Sequence, residues 1–316
     1  MVLWKLVRTR LLQLIFVLLL LSFVTFALMK LAPGDPVLSI LNSDELSVTK
    51  ADEARVREEL GFDRPLYEQY GRWMLNLLRL DLGHSYIKGK PVLEEIVQRL
   101  PTTAQLTAGG LAVMVLIAAP LGLLAARYPG RWPDQAGRIF ALIGASVPSF
   151  WMGLLLIYAF AFKLQWLPSM GKGGFAYQIL PSITLGFSMA AVYARLLRAG
   201  LLESLSQEYI RAARARGIAE WKIMVNHAMR AALMPVVTVF GMSIGNLLTG
   251  SVVTEMLFSW PGLGSMAVEA IFQRDYPVIQ GYVLLTGVFV VLVNLLVDLT
   301  YTILDPRIRY GKAGLT

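Results

Sequence analysis

The chain has no cysteine and only two histidines, His84 and His227. The first absence excludes a disulfide, a thiolate nucleophile and a thiolate metal site, and it removes any redox clue to the compartment. The second leaves no clustered imidazoles, so no dedicated site for a soft or borderline metal ion is expected, and the metal set is none. Charge is also scarce: 16% of residues are Asp, Glu, Lys or Arg, against 56% hydrophobic ones and a mean hydropathy of +0.59. A chain of 316 residues with so few charges cannot solvate the surface of ordinary globular domains. A phosphate-cradling loop of the form Gly-x4-Gly-Lys-Ser/Thr is missing as well. The nearest approach, GHSYIKGKP at 83–91, has one residue too many between its glycines and puts Pro91 where the hydroxyl belongs.

What is present is a series of uncharged gaps. A bilayer core requires about 20 apolar residues per helix and makes each buried charge costly. Gaps of that length occupy residues 11–29, 100–126, 139–162, 173–194, 231–254 and 276–297. The fold class expected is therefore all-α, a polytopic membrane protein with six transmembrane helices and both termini on one side.

Orientation follows from the excess of Lys and Arg in short cytoplasmic loops. Lys5, Arg8 and Arg10 precede the first gap, Arg127, Arg131 and Arg138 face only Asp134, and Arg307, Arg309 and Lys312 end the chain. Residues 195–230 carry seven basic residues against Glu203, Glu208 and Glu220, whereas residues 31–99 hold more acids than bases. Both termini are expected in the cytoplasm. The formal charge of +8 sits where topology requires it and carries no nucleic-acid reading. The first apolar run is too long for a secretory signal, and ALMKLAPG lacks a small-x-small cleavage site, so it is expected to remain as an anchor.

The expected division is a cytoplasmic N-terminus and first span at 1–30, a small extracytoplasmic helical domain at 31–100, a five-helix core at 101–300 and a cytoplasmic tail at 301–316. In the polar domain, Thr49 and Asp52 form a capping pair for ADEARVREEL, and Gly61 stops that helix. Leu66, Tyr70, Trp73, Leu77 and Leu80 then recur at helical spacing. Their face either packs on the bundle or the interface, or docks a partner that delivers substrate.

The loop 195–230 is too long and too amphipathic for a plain turn. Glu208, Arg211, Arg214 and Arg216 lie among Tyr209, Ile210, Ala212 and Ala213, and Gly217 breaks the helix before a second one starts. A helix, a glycine bend and a second helix would project a knob able to fit a groove on a soluble partner and pass its movement to the next span.

This loop resembles that of permeases of binding-protein-dependent ABC importers, whose signature is Glu-Ala-Ala, three residues, Gly, nine residues, Ile-x-Leu-Pro. Ala212, Ala213 and Gly217 match, Arg211 replaces the glutamate, His227 takes the isoleucine position, and Pro235 arrives five residues late. Those departures are similar to the peptide and nickel branch. So are LAPGDP at 31–36, GFDRPLYEQYGRW at 61–73, FSWPGLG at 258–264, RDYPVIQG at 274–281 and DPRIR at 305–309. The resemblance implies a type I importer permease in the bacterial inner membrane. It pairs with a second, homologous permease to form a heterodimer, with two ATPase subunits that bind ATP and Mg, and with an extracytoplasmic substrate-binding protein. Membrane lipid surrounds it, and the chain binds no cofactor of its own. Glu208, Tyr209, Arg211, Ala212, Ala213, Arg214 and Gly217 form the implied ATPase-coupling loop, with His227 a structural or coupling residue. The cargo is nickel as a chelate or small peptides. LQWLPSMGKGG and IFQRDYPVIQ look somewhat closer to nickel permeases.

Within the spans, Gly241, Gly245 and Thr249 form a small-residue stripe that lets another backbone come close, either for packing or along the pathway. Asn246, Asn294 and Asp298 are polar groups that must face the bundle or the interface, with Arg307 or Arg309 available to Asp298. Glu255 and Glu269 flank FSWPGLG, where Pro261, Gly262 and Gly264 are expected to force a bent re-entrant or surface loop belonging to an outer gate. The competing classes are an ATPase-independent transporter or channel, and an intramembrane enzyme. The first needs intramembrane acids, which are few, and the second a buried catalytic constellation, which the spans lack.

Overall fold

The computed structural model describes residues 2–31, 35–41 and 49–304, with side chains except those of 2–7, 36, 39, 242, 244–246, 248–250 and 297–304. DPRIR at 305–309, residues 32–34 of LAPGDP, Lys312 and the side chains of Lys5, Asn246, Thr249 and Asp298 therefore lie outside the described ones. Thirteen helices occur among the described ones: α1 Val2–Leu31, α2 Pro36–Ile40, α3 Lys50–Leu60, α4 Leu66–Leu78, α5 Val92–Arg127, α6 Trp132–Ser146, α7 Ser149–Leu156, α8 Phe175–Leu205, α9 Glu208–Ala215, α10 Glu220–Lys222, α11 Met229–Leu257, α12 Leu263–Gln273 and α13 Tyr276–Leu304. Wider π-helical turns extend α7 over Ile157–Lys163 and join α10 to α11 over Ile223–Ala228.

Five of the helices are long and apolar enough to cross a membrane, and a sixth crossing arises only if α6 and α7 count as one span. In place of a straight third span there is a bent helix pair, the form of a broken span or of a re-entrant loop: α6 and α7 meet at 104°. Val147 is extended at φ −89°, ψ 121°, because the ring of Pro148 disfavours a helical residue before it.

The chain separates into two compact units, one of residues 1–102 and 262–292, the other of 103–261 and 293–316. In the first, α3 starts on the reciprocal cap expected of Thr49 and Asp52 and stops at Gly61, which is left-handed at φ +69°. The Thr49 hydroxyl and backbone N–H both serve the Asp52 carboxylate, holding it below its ordinary range. Tyr70 of α4 sets its ring edge-on to Phe23 and Phe26 of α1, and its hydroxyl meets Ser22 Oγ at 3.0 Å. The α4 helix ends at Leu78, so Leu80, expected on its face, instead lies past the end at φ +60°, exposed.

A tight loop before α5 is pinned by Asp275, buried between α12 and α13, which accepts the Ser85 hydroxyl and the Tyr86 backbone N–H. Burial, together with the nearby Asp275, pushes the Tyr86 phenol up to about 12. Lys88 reaches Glu95 at 3.2 Å and Glu269 at 3.5 Å, and Arg99 reaches Glu269 at 3.6 Å. Beneath these charges, Val92 and Ile96 of α5 pack on Leu263, Met266 and Ala270 of α12 and on Val278.

In the second unit, α8 is the central element. Ala190, Tyr193 and Ala194 bury against Met114 and Ala118 of α5, and Leu185 joins Leu106, Leu247 and Trp260. Pro181 lies inside α8 and Pro235 inside α11, each removing one helical hydrogen bond.

Candidate functional site

Helix α9 forms because its apolar residues fall on one side. Ile210 and Ala213 are three apart and both buried, while Glu208, Tyr209, Arg211, Ala212, Arg214 and Arg216 are exposed. The buried pair seats on Leu197 and Leu201 of α8, Ala126 of α5, and Ile223, Ala228 and Ala232. Removing a side chain the size of Ile210 from water is worth about 2 kcal/mol, so the seat holds the helix in place.

Both ends of α9 are tied down. Ser204, buried near the end of α8, shares a 2.7 Å hydrogen bond with the Tyr209 hydroxyl. At the other end Gly217 turns at φ +75°, a conformation that costs an L-side chain about 1 kcal/mol, and its N–H donates to Arg214 O at 2.9 Å. Ile218 N–H donates to Ala213 O at 3.3 Å. Across the bend the Arg214 guanidinium forks onto Glu220, with Nε at 2.6 Å from Oε1 and Nη2 at 3.3 Å from Oε2. The expected helix, glycine bend and second helix are present. The second helix, however, is no separate piece: it runs through the π-helical turns directly into α11. His227 sits there, exposed, its Nδ1 3.4 Å from Lys222 O.

The base of this knob joins two candidate spans backbone to backbone. A Cβ placed on Gly200 of α8 would lie 2.9 Å from Ala232 O and 3.1 Å from Ala232 Cα, so only glycine permits this approach. Gly200 and Ala232 thus join α8 to α11 directly, while α9 is seated on that pair through the side chains of Ile210 and Ala213. Arg198, six residues before Ser204 on α8, forks onto Asp134 of α6 at 2.5 and 2.9 Å, and Asp134 is fully buried. Sequence reasoning missed Gly200, Ser204, Glu220 and the Asp134–Arg198 pair. The spacing of Gly200 and Ser204, four apart on one helix face, was a usable signal. The charge pair, 64 residues apart, left none.

Of the pathway candidates, Gly241 and residues 261, 262 and 264 can be described. Gly241 is buried. Of the two forms expected for the segment 258–264, a bent re-entrant loop or a surface loop, its burial fits the surface form poorly. Phe258 and Trp260 are among the largest fully buried side chains, Ser259 between them turns at φ +50°, and Trp260 N–H donates to Glu255 O at 2.8 Å. Pro261 is exposed, Gly262 is the residue before α12, and Gly264 lies buried inside that helix, so it bends nothing. Trp260 anchors the turn and leaves an irregular backbone of only a few residues. Glu255 is fully buried and accepts a 2.7 Å hydrogen bond from Thr103 Oγ1. Asn294 is half-buried. Among the described residues no group of three or more His, Asp or Glu converges on one point.

Comparison with known proteins adds a family to this geometry. A family described as the binding-protein-dependent transport system inner membrane component matches residues 118–310, and the N-terminal region of the same kind of component matches residues 2–107. The glutathione transport system permease protein GsiC of Salmonella paratyphi A is 41% identical over 307 residues, covering 96% of this chain and 98% of the relative. Its Escherichia coli K12 counterpart is 40% identical over 302 residues, covering 95% and 97%. Among solved structures, an inward-facing MetNI methionine ABC transporter shares the fold at a TM-score of 0.54 and 20% identity, over 67% of this chain and 96% of that one.

Proposed function

This chain belongs to the family of binding-protein-dependent transport system inner membrane components, the permease subunits of ABC importers, and on that premise we propose that α9 is its ATPase contact and short peptides its cargo. It is a multi-pass protein of the inner membrane and not itself an ATPase, and ATPase and substrate-binding partners follow from the family. Family membership sets aside the ATPase-independent transporter and the intramembrane enzyme.

The observation that carries the coupling role is the contrast between the two faces of α9. Its underside is seated through Ile210 and Ala213 on α8 and α11, which are themselves joined at the Gly200–Ala232 contact, while Glu208, Tyr209, Arg211 and Arg214 face outward. In the proposed cycle, two ATPase subunits bind ATP and Mg, close on each other and move the knobs of this chain and of a second, homologous permease. Pro235, three residues past Ala232, leaves α11 one hydrogen bond short just above the lever, a natural point for bending. Both termini lie in the cytoplasm in this scheme and the 31–100 domain outside, as the distribution of Lys and Arg favours.

For the cargo, the relatives that span nearly the whole chain carry the name of glutathione, a tripeptide, and this favours the peptide arm over the nickel arm. Reconstituted uptake with the cognate receptor and ATPases, supplied in parallel with labelled glutathione, a dipeptide and a nickel chelate, decides the point. Peptide or glutathione uptake dependent on ATP is expected. Accumulation of the nickel chelate alone would overturn the peptide assignment and leave the coupling role standing.

A further inference from the structure

A second basic feature sits between α5, α6 and α8, apart from the knob. A groove of about 340 Å³ is lined by Leu121, Ala141 and Leu142 and by Arg138, Arg195 and Arg198. Two of these guanidinium groups, those of Arg198 and Arg138, share one carboxylate, that of Asp134, and its capacity is largely taken. Asp134 accepts the Arg198 fork at 2.5 and 2.9 Å and the Gly130 N–H at 2.9 Å, and meets Arg138 only at 3.3 Å. Arg138 remains 64% exposed. Arg195 is exposed and, among the described residues, makes no hydrogen bond or ion pair. Two positive charges are thus left over beside an apolar trough.

The surroundings are those of a membrane boundary. Ile139, Leu142 and Ile143 form an exposed apolar stripe along α6, and Trp132 and Tyr128 stand exposed at its start, beside Arg131 and Arg127. Aromatic rings with flanking arginines mark the headgroup level of a bilayer.

We propose that this groove binds an anionic phospholipid, with its phosphodiester on Arg195 and Arg138 and an acyl chain along Leu142. A basic pocket between membrane helices is the form such headgroup sites take. Guanidinium suits the task because its planar donors match phosphate oxygens two at a time. A free phosphate would use the same arginines but leaves the apolar trough unexplained. Because Arg198 holds Asp134, and with it the start of α6, a lipid seated here touches the elements that carry the knob.

Native mass spectrometry of the full-length chain, titrated with phosphatidylglycerol or with phosphatidylcholine of equal chain length, tests the site. Preferential retention of phosphatidylglycerol is expected, weakened about fivefold for each arginine lost in Arg195→Gln and Arg138→Gln. Arg198 stays untouched, since it is part of the fold. Arg195→Gln alone removes no contact of the described structure, so its effect reads binding even if the double variant fails to fold. Equal retention of the two lipids, or undiminished phosphatidylglycerol binding in Arg195→Gln, would refute the site. Displacement of phosphatidylglycerol by millimolar inorganic phosphate would refute the lipid and assign the arginines to a free anion.

Discussion

Helices α4 and α9 both carry apolar residues on one side and charges on the other, yet the fold treats them in opposite ways. On α9 the apolar side is covered: Ile210 is 0% and Ala213 6% exposed. On α4 no residue is buried, and Leu66, Leu75 and Leu78 stand open to the surroundings. The face left over states what kind of surface comes next. A helix that has spent its apolar side on its own chain offers charge and hydroxyl to a soluble partner. One that has not offers apolar surface, which lipid or another subunit must cover.

Truncating the two faces should separate them most sharply. Ile210→Ala is expected to cost about 2–4 kcal/mol, because it leaves a cavity under α9. Leu78→Ala should stay within about 0.5 kcal/mol, since it loses nothing already buried. Thermal unfolding of the full-length chain in detergent measures both. Equal losses would mean that α4 is covered within the chain, and the contrast would be gone.

The neighbouring alanines of α9 probe the same boundary at finer scale. Ala213→Leu points into the seat and should destabilise by about 1–3 kcal/mol through overpacking. Ala212→Leu points outward and should leave the melting temperature unchanged while lowering substrate-stimulated ATPase activity of the assembled complex by about tenfold, the equivalent of ~1.4 kcal/mol of interface. A normal ATPase response in Ala212→Leu would remove the outer face of α9 from the coupling contact.

The smallest effect concerns α3, which precedes α4. Its cap depends on an ionised Asp52 whose pKa is lowered from 3.8 chiefly by the Thr49 hydroxyl. A carboxylate with a depressed folded-state value contributes its stabilisation in full above the ordinary value and loses it as pH falls through the folded one. Protection of the first amides of α3 against hydrogen exchange should therefore be constant from neutral pH down to about 4 and fall below it. In Thr49→Ala that protection should already be reduced at neutral pH. Equal protection in wild type and Thr49→Ala at every pH would show that the reciprocal cap adds nothing.

Much of this molecule was legible in the order of its residues, for local reasons. The Thr49–Asp52 cap, the Gly61 stop and the Gly217 bend each depend on residues within one or two turns, and all three stand where their chemistry places them. The knob residues were legible because α9 alternates faces at helical spacing. The bend between α6 and α7 was harder to see, although Pro148 was in plain view inside an uncharged run, because charge spacing measures length and not straightness. At 258–262 the proline and glycines announced a bend, but not that Trp260 within it is buried against Leu106, Leu185 and Leu247.

The sequence by itself determined how many apolar segments there are, where α3 starts and stops, and which loop carries the glycine bend, because charge spacing and capping act between near neighbours. Tertiary structure alone decided which amphipathic face is covered, that α6 and α7 meet at 104°, and that Asp134 belongs to Arg198, 64 residues away, while Arg138 and Arg195 keep charge to spare. Coverage and charge pairing depend on which distant segments arrive at the same place, and no local period in the chain encodes that arrival.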